Sequence, residues 1–280
     1  MSRLFVFGCS FTCYRTPTWA DILSFSYDQY YNLGKGGSGN QCIFETLCDA
    51  VLRYNIRHGD TVIVMWTSYH RQDFFKSDRW HTPGNVYNSP KVFDDEYIRN
   101  YIDVKGMIMH SLNFISAAEA ILAQSKADWY MTSMSDMLDP FVEFDGITKF
   151  WPWSNRKTIL DKFPSFKIYK ETLNHNRWLP LSMLQFNAAN KYPKNKHYFR
   201  NKEKTAIDEH LPVYVHYQWL LTNDFCVDKK AYTQLYDKWI RTYNQLGYLV
   251  IIDNAPGNTQ AWIKDNIPYV VRDCVTYINT

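Results

Sequence analysis

Residues Thr61–Trp66 read Thr-Val-Ile-Val-Met-Trp, a run with no polar side chain after the first, entered from Gly59-Asp60. An alternating pattern would mark a strand with one wet face. A continuous β-branched run marks a strand covered on both. Such strands belong to parallel sheets with helices on either side, so this segment predicts a central strand of an α/β fold. Leu4–Phe7, ending at Gly8, is a second run of the same kind, and Tyr30–Leu33 and Trp129–Thr132 are shorter candidates. Between them the spacing predicts helices over Trp19–Phe25, over Gln41–Tyr54 (Ile43, Leu47, Val51 and Tyr54 on one face) and, as one long helix, over 95–124. Strands alternating with helices predict a parallel sheet with helices on both faces.

The alternation stops near residue 137. Residues 141–205 are rich in Trp, Asn, Pro and Lys, with 13 Lys and Arg against 5 Asp and Glu. The whole chain has 31 against 28, so 18 against 23 remain elsewhere. A basic, aromatic segment on a slightly acidic body reads as a lid or docking surface, or equally as a solvated excursion. Helices follow at Val213–Leu221 and Tyr232–Leu246, and a strand at Tyr248–Ile252. The expected organisation is one α/β domain over 1–222 with an irregular insertion at about 137–205. A C-terminal α/β extension over 223–280 packs on it.

Composition narrows the function classes. With 46% hydrophobic residues the chain can build a sizeable core, and bulk disorder is excluded. A formal charge of +3 leaves no strongly basic arm, so nucleic acid is not an expected partner. No wholly apolar stretch of about 18 residues exists, so no membrane span is expected. The apolar run after Met1 is too short for a signal peptide, which predicts cytoplasmic synthesis without secretory processing. Cys9, Cys13, Cys42, Cys48, Cys226 and Cys274 show no CxxC pair, which predicts free buried thiols rather than a metal site. No cofactor is expected.

Three places could carry chemistry. Gly8-Cys9-Ser10-Phe11-Thr12 directly follows the first strand, and the carboxyl edge of a parallel sheet is where α/β folds bind ligands. Asn32 to Asn40 contains Gly34, Gly36, Gly37 and Gly39, whose amides could approach an oxyanion or a phosphate. It matches neither GxxxxGK[ST] nor a complete dinucleotide fingerprint. Asp208-Glu209-His210 precedes a helix and could supply a base with its orienting acid.

In this order the three blocks resemble those of the SGNH, or GDSL-type, hydrolases, and the Gly-Gly-Ser-x-Asn loop with Trp19 is especially similar to divergent members from bacteriophage genomes. The resemblance covers residues 3–136 and 205–222 and implies a flavodoxin-like three-layer α/β/α fold. It implies Ser10 as nucleophile, His210 as base, Asp208 as its orienting acid, and Gly37 (or Gly39) with the Ser10 amide as oxyanion donors. The chain departs from the family twice. No asparagine follows the third strand, which ends Trp66-Thr67-Ser68-Tyr69-His70-Arg71, and Asp208 and His210 are two apart rather than three. Thr67 or Ser68 is the expected substitute donor. Asn40, Trp66 and Arg71 are expected substrate contacts, and His216 is the fallback base.

The implied function is a serine esterase or deacetylase acting on an acylated small molecule or an O-acetylated polysaccharide. The alternative is a non-catalytic binding or structural protein on the same fold, assembling with virion proteins or with itself in a phage particle. A nucleotide-binding reading is the third.

Overall fold

Leu4 and Val6 of the first strand, β1 (Arg3–Phe7), pack into one core cluster and Phe5 and Phe7 into another, all with no exposed surface. Burial on both faces demands a helical layer on each side. After β1 come α1 (Trp19–Leu23) with a 3-10 turn, β2 (Gln29–Asn32), α2 (Asn40–Arg53) and β3 (Asp60–Trp66). A hairpin of β4 (Phe74–Lys76) and β5 (Arg79–His81) precedes α3 (Asp95–Tyr101), α4 (Val104–Ser125) and β6 (Asp128–Ser133). Then follow α5 (Pro164–Thr172), α6 (Met183–Ala189), β7 (His197–Arg200), β8 (Thr205–Asp208), α7 (Val213–Thr222), α8 (Lys229–Gln245) and β9 (Leu249–Ile252). The structure is a computed structural model that describes residues 1–135, 137, 164–190, 197–200, 205–208, 210–245 and 249–252.

The main sheet has the order β2-β1-β3-β6, and every pair is parallel. This is the 2-1-3-4 order of flavodoxin-like sheets, which turn in opposite directions on the two sides of β1 and β3. Trp178 adds an isolated parallel bridge to Met131, and the Leu179 N–H donates to the Met131 carbonyl at 2.8 Å. The chain thus runs along the free edge of β6, where the fifth strand of such a sheet lies.

One face of the sheet (Leu4, Val6, Ile63, Met65) packs under α1 and α7, where Trp19 and Trp219 meet with ring centroids 5.7 Å apart. The other face (Phe5, Phe7, Val62, Val64, Trp66) packs under α2 and α4. Helix α4 is long and apolar enough by composition to cross a membrane, yet Ile108, Leu112, Ile115 and Leu122 are buried against the sheet. At the sheet's lower edge Arg3 forms a forked pair with Asp60, at 2.7 and 2.6 Å, joining β1 to β3.

Several expectations need correction. The helix over 95–124 is two helices, because Ile102 is extended and Asp103 caps α4 by accepting from the Gly106 N–H at 2.9 Å. The β4–β5 hairpin was not expected; it turns through Ser77 and Asp78, both with positive φ. Cys226 is exposed and Cys13 and Cys48 are only partly buried, whereas Cys9 and Cys42 are buried, and Cys274 lies outside the described residues. The strand expected at Tyr248–Ile252 forms as β9 but joins an antiparallel sheet of order β8-β7-β9. Insertion and extension therefore share one sheet. Helix α8 also packs Leu235, Tyr236 and Trp239 onto the α1–α7 layer.

The Trp219→Ala variant is expected to lose about 3–5 kcal/mol of unfolding free energy. Leu52→Ala, at a site 84% exposed, should change it by less than about 0.5 kcal/mol. Urea titration followed by tryptophan fluorescence and circular dichroism measures both.

Candidate active site

The carboxyl end of β1 runs into a tight turn in which the Thr12 and Cys13 N–H groups both donate to the Cys9 carbonyl, at 2.9 and 3.0 Å. Gly8 is required by space: a Cβ there would lie 2.1 Å from Thr12 Oγ1 and 3.0 Å from the Met65 carbonyl. Ser10 sits in this turn, 8% exposed, and among the described residues its hydroxyl makes no hydrogen bond. Thr18 Oγ1 donates to the Thr12 carbonyl at 2.7 Å, and the Thr18 N–H donates to Asp21 Oδ2 at 2.9 Å. The end of the turn is thereby tied to the start of α1.

His210 arrives from the far end of the chain. Its ring stacks on Tyr14 at 3.7 Å and lies 5.3 Å from Phe11, the residue after Ser10. The next residues, Leu211 and Val213, are buried in the α1–α7 core and so anchor the histidine's segment. Asp208 is the last residue of β8; its side chain lies outside the described residues, as does Glu209. His216 lies inside α7 and is 2% exposed, a core position.

The glycine loop is stitched to the Ser10 turn by Asn32. Asn32 Nδ2 donates to the Thr12 carbonyl at 3.0 Å, and Oδ1 accepts from the Gly34 N–H at 3.0 Å. The Lys35 N–H donates to the Gly8 carbonyl at 2.9 Å. Gly37 has φ +78°, and a Cβ there would lie 2.4 Å from the Thr82 carbonyl oxygen, so only glycine fits. Its N–H has no acceptor among the described residues, which is the condition an oxyanion donor must meet. The Gly39 N–H, by contrast, is bound to Asp73 Oδ1 at 2.8 Å.

Asp73 carries no motif in the sequence. It is 5% exposed and accepts from Gly39 and, through Oδ2, from the Cys42 N–H at 2.9 Å. It does for α2 what an N-cap side chain does, because Gly39 at the cap has none. Burial pushes its carboxyl above the usual range, against the opposing pull of the two amides, Arg71 and Lys35. Nothing local signals this partnership, since the two segments lie on different loops.

The loop after β3 is placed differently from expectation. Trp66 has no exposed surface and sends Nε1 to Met131 Sδ at 3.4 Å, so it is core and not a substrate contact. Thr67 is equally buried and its hydroxyl faces Met134 Sδ at 3.9 Å. Asn40 braces the end of β3. Its Nδ2 donates to the Thr67 carbonyl (3.1 Å) and Ser111 Oγ (3.0 Å), and its Oδ1 accepts from the Thr67 N–H (2.9 Å). Ser68 Oγ lies 3.0 Å from His70 Nδ1. That serine–histidine contact is sealed: His70 has no exposed surface, and burial lowers its pKa to about 3, which keeps it neutral. Arg71 is half-buried, with Nη1 on the Ser38 carbonyl (3.2 Å) and Nη2 on Met134 Sδ (3.6 Å). Among the described residues no three His, Cys, Asp or Glu side chains gather as a metal set.

The chain matches no family model and no curated protein sequence. Among solved structures it resembles a member of the lipolytic protein G-D-S-L family from Veillonella parvula, at 11% identity and TM-score 0.40, covering 79% of this chain and 96% of that one. It also resembles a GDSL-like lipase from Bacteroides thetaiotaomicron, at 12% identity and TM-score 0.38, covering 83% and 88%. The fold assignment rests on the strand order and the helical layers described above.

Replacing Asp73 by Ala leaves two buried amides without acceptors and is expected to cost about 1–3 kcal/mol at neutral pH. A carboxyl whose folded pKa is raised favours folding most at low pH. That contribution is lost as pH rises from the ordinary aspartate value, about 4, through the raised folded value. Across that window the stability of the unmodified protein should fall relative to Asp73→Asn, as measured by urea unfolding at stepped pH.

Proposed function

We propose that this protein is a serine esterase that hydrolyses an acyl ester through Ser10. The observation that carries the reading is the convergence of His210 on the Ser10 turn, its ring against Phe11 and Tyr14. Among the described residues the Ser10 hydroxyl makes no hydrogen bond and the Gly37 amide has no acceptor, and the His210 imidazole packs beside the Ser10 turn. That is the group set acyl transfer needs.

In the proposed reaction Ser10 Oγ attacks the acyl carbonyl while His210 takes its proton. The carbonyl electron pair moves onto oxygen, where the Ser10 and Gly37 amides hold the negative charge. Collapse expels the alcohol, which receives the proton from His210, and leaves acyl-Ser10. Water, deprotonated by the same imidazole, attacks the acyl-enzyme; collapse of the second tetrahedral intermediate releases the carboxylic acid as His210 returns the proton to Ser10 Oγ. Asp208 is assigned to orienting His210, on its place at the end of β8 two residues earlier. Thr67 and Ser68, expected as assisting donors, have hydroxyls facing Met134 and His70, so the reading relies on backbone amides. Loss of one oxyanion donor typically costs 100–1000-fold, which sets a slow enzyme as the expectation. An O-acylated glycan is the substrate we carry forward, on the aromatic and basic composition of 141–205 alone.

The engaged hydroxyls of Thr67 and Ser68 are also the observation that favours a second reading, a binding protein that keeps the fold without turnover. Against a phosphate cradle stands Asp73, whose carboxylate already holds the Gly39 and Cys42 amides where a phosphate would sit.

A fluorophosphonate probe is expected to label the protein, and neither Ser10→Ala nor His210→Ala should be labelled. Hydrolysis of 4-nitrophenyl acetate should fall by about 1000-fold or more in Ser10→Ala. Labelling of the Ser10→Ala protein at the unmodified rate would overturn the mechanism. A folded protein that takes no label would favour the binding reading.

A further inference from the structure

Arg71 stands out as a half-buried cation held only by uncharged groups. Its two recorded contacts are the Ser38 carbonyl and the Met134 sulfur, and it forms no ion pair among the described residues. Lys35 is similar, its Nζ donating to the Trp80 carbonyl at 2.7 Å. Asp73 is close enough to feel both charges, but both its oxygens accept backbone amides from Gly39 and Cys42. Two cations therefore share one acid, which forms an ion pair with neither among the described residues and whose two oxygens each already accept a backbone amide. Withdrawing a guanidinium from water is costly unless an anion or good acceptors compensate, and a thioether is a poor acceptor. The remaining N–H groups of the fork suit a carboxylate or a phosphate, which a guanidinium binds in a bidentate manner.

The position matters as much as the charge. Met134 Sδ lies 3.6 Å from Arg71 Nη2 and 4.0 Å from the sulfur of Cys9, the residue before Ser10. Ser38, which holds the other side of the guanidinium, follows Gly37. Arg71 thus reaches the glycine loop at Ser38 and, through Met134, the residue that precedes Ser10.

The geometry points to Arg71 as an anion-recognition site beside Ser10, selecting substrates that carry a carboxylate or phosphate close to the scissile ester. The word substrate rests on the esterase reading; the anion site does not.

The test has two arms. In the first, succinate and methyl phosphate are titrated into Ser10→Ala protein by calorimetry, with and without Arg71→Met or Arg71→Lys. At least one anion is expected to bind, at least tenfold more weakly after Arg71→Met. Arg71→Lys should give an intermediate loss, since it keeps the charge without the fork, and circular dichroism confirms that each variant is folded. The stronger of the two probes identifies the oxyacid. Binding of neither anion, or binding indifferent to Arg71, overturns the site whatever Ser10 does. In the second arm, Arg71→Met is expected to lower kcat/KM for the mono-4-nitrophenyl ester of succinate at least tenfold more than for 4-nitrophenyl acetate. Equal losses would make Arg71 an oxyanion donor and overturn substrate selection. Arg71-dependent anion binding with no hydrolysis of either ester would support the anion site and refute the esterase.

Discussion

The structure depends on the burial of β1 and β3 on both faces. Leu4, Phe5, Val6 and Phe7, with Val62 to Trp66, have no exposed surface, and each large apolar side chain so placed contributes about 1.5–3 kcal/mol. Strands of this kind have no face to offer to a ligand. Whatever the protein binds must meet it where the strands stop, and the carboxyl edge is where the loops from β1, β2 and β3 converge. The architecture thus confines chemistry to one rim before any particular side chain is considered.

That rim is held together by polar side chains acting as substitutes for backbone. Asn32 bridges the first two loops, Asn40 pairs with Thr67 across the end of β3, and Asp73 caps α2 from another loop. Each satisfies main-chain groups that the loops would otherwise leave buried and unpaired. The cost shows in electrostatics. The Asp73 carboxyl is pushed up by burial, and His70 is held neutral. The Ser68–His70 pair is buried on both sides, so that serine and histidine are closed to a substrate. Ser10 differs in that its turn is at the rim and its hydroxyl is not engaged by another described residue.

Much of the frame was legible because it follows local periodicity. The runs at Leu4–Phe7 and Thr61–Trp66 and the spacing of Ile43 and Leu47 give strand and helix wherever they occur. The glycines at 8 and 37 were visible as a pattern, although which amide stays open was not: Gly37 and Gly39 look alike until Asp73 is seen on one of them. In the sequence Asn40 and Trp66 have nothing to mark them as structural. Packing made one a brace and the other core. The break at Ile102–Asp103 is hidden in the sequence because apolar spacing continues through it, while the extended Ile102 and the Asp103 cap interrupt the helix.

By itself the amino-acid sequence determined an α/β sheet with helices on both faces, a serine turn after the first strand and a glycine loop after the second. Hydrophobic periodicity and glycine placement act over a few residues and need no distant partner. Tertiary structure alone decided the strand order β2-β1-β3-β6 and the joining of insertion and extension in a shared sheet. It also brought His210 against the Ser10 turn and gave Arg71 uncharged hydrogen-bond partners. These are contacts between segments far apart in the chain, set by how the helical layers pack. No local pattern encodes them.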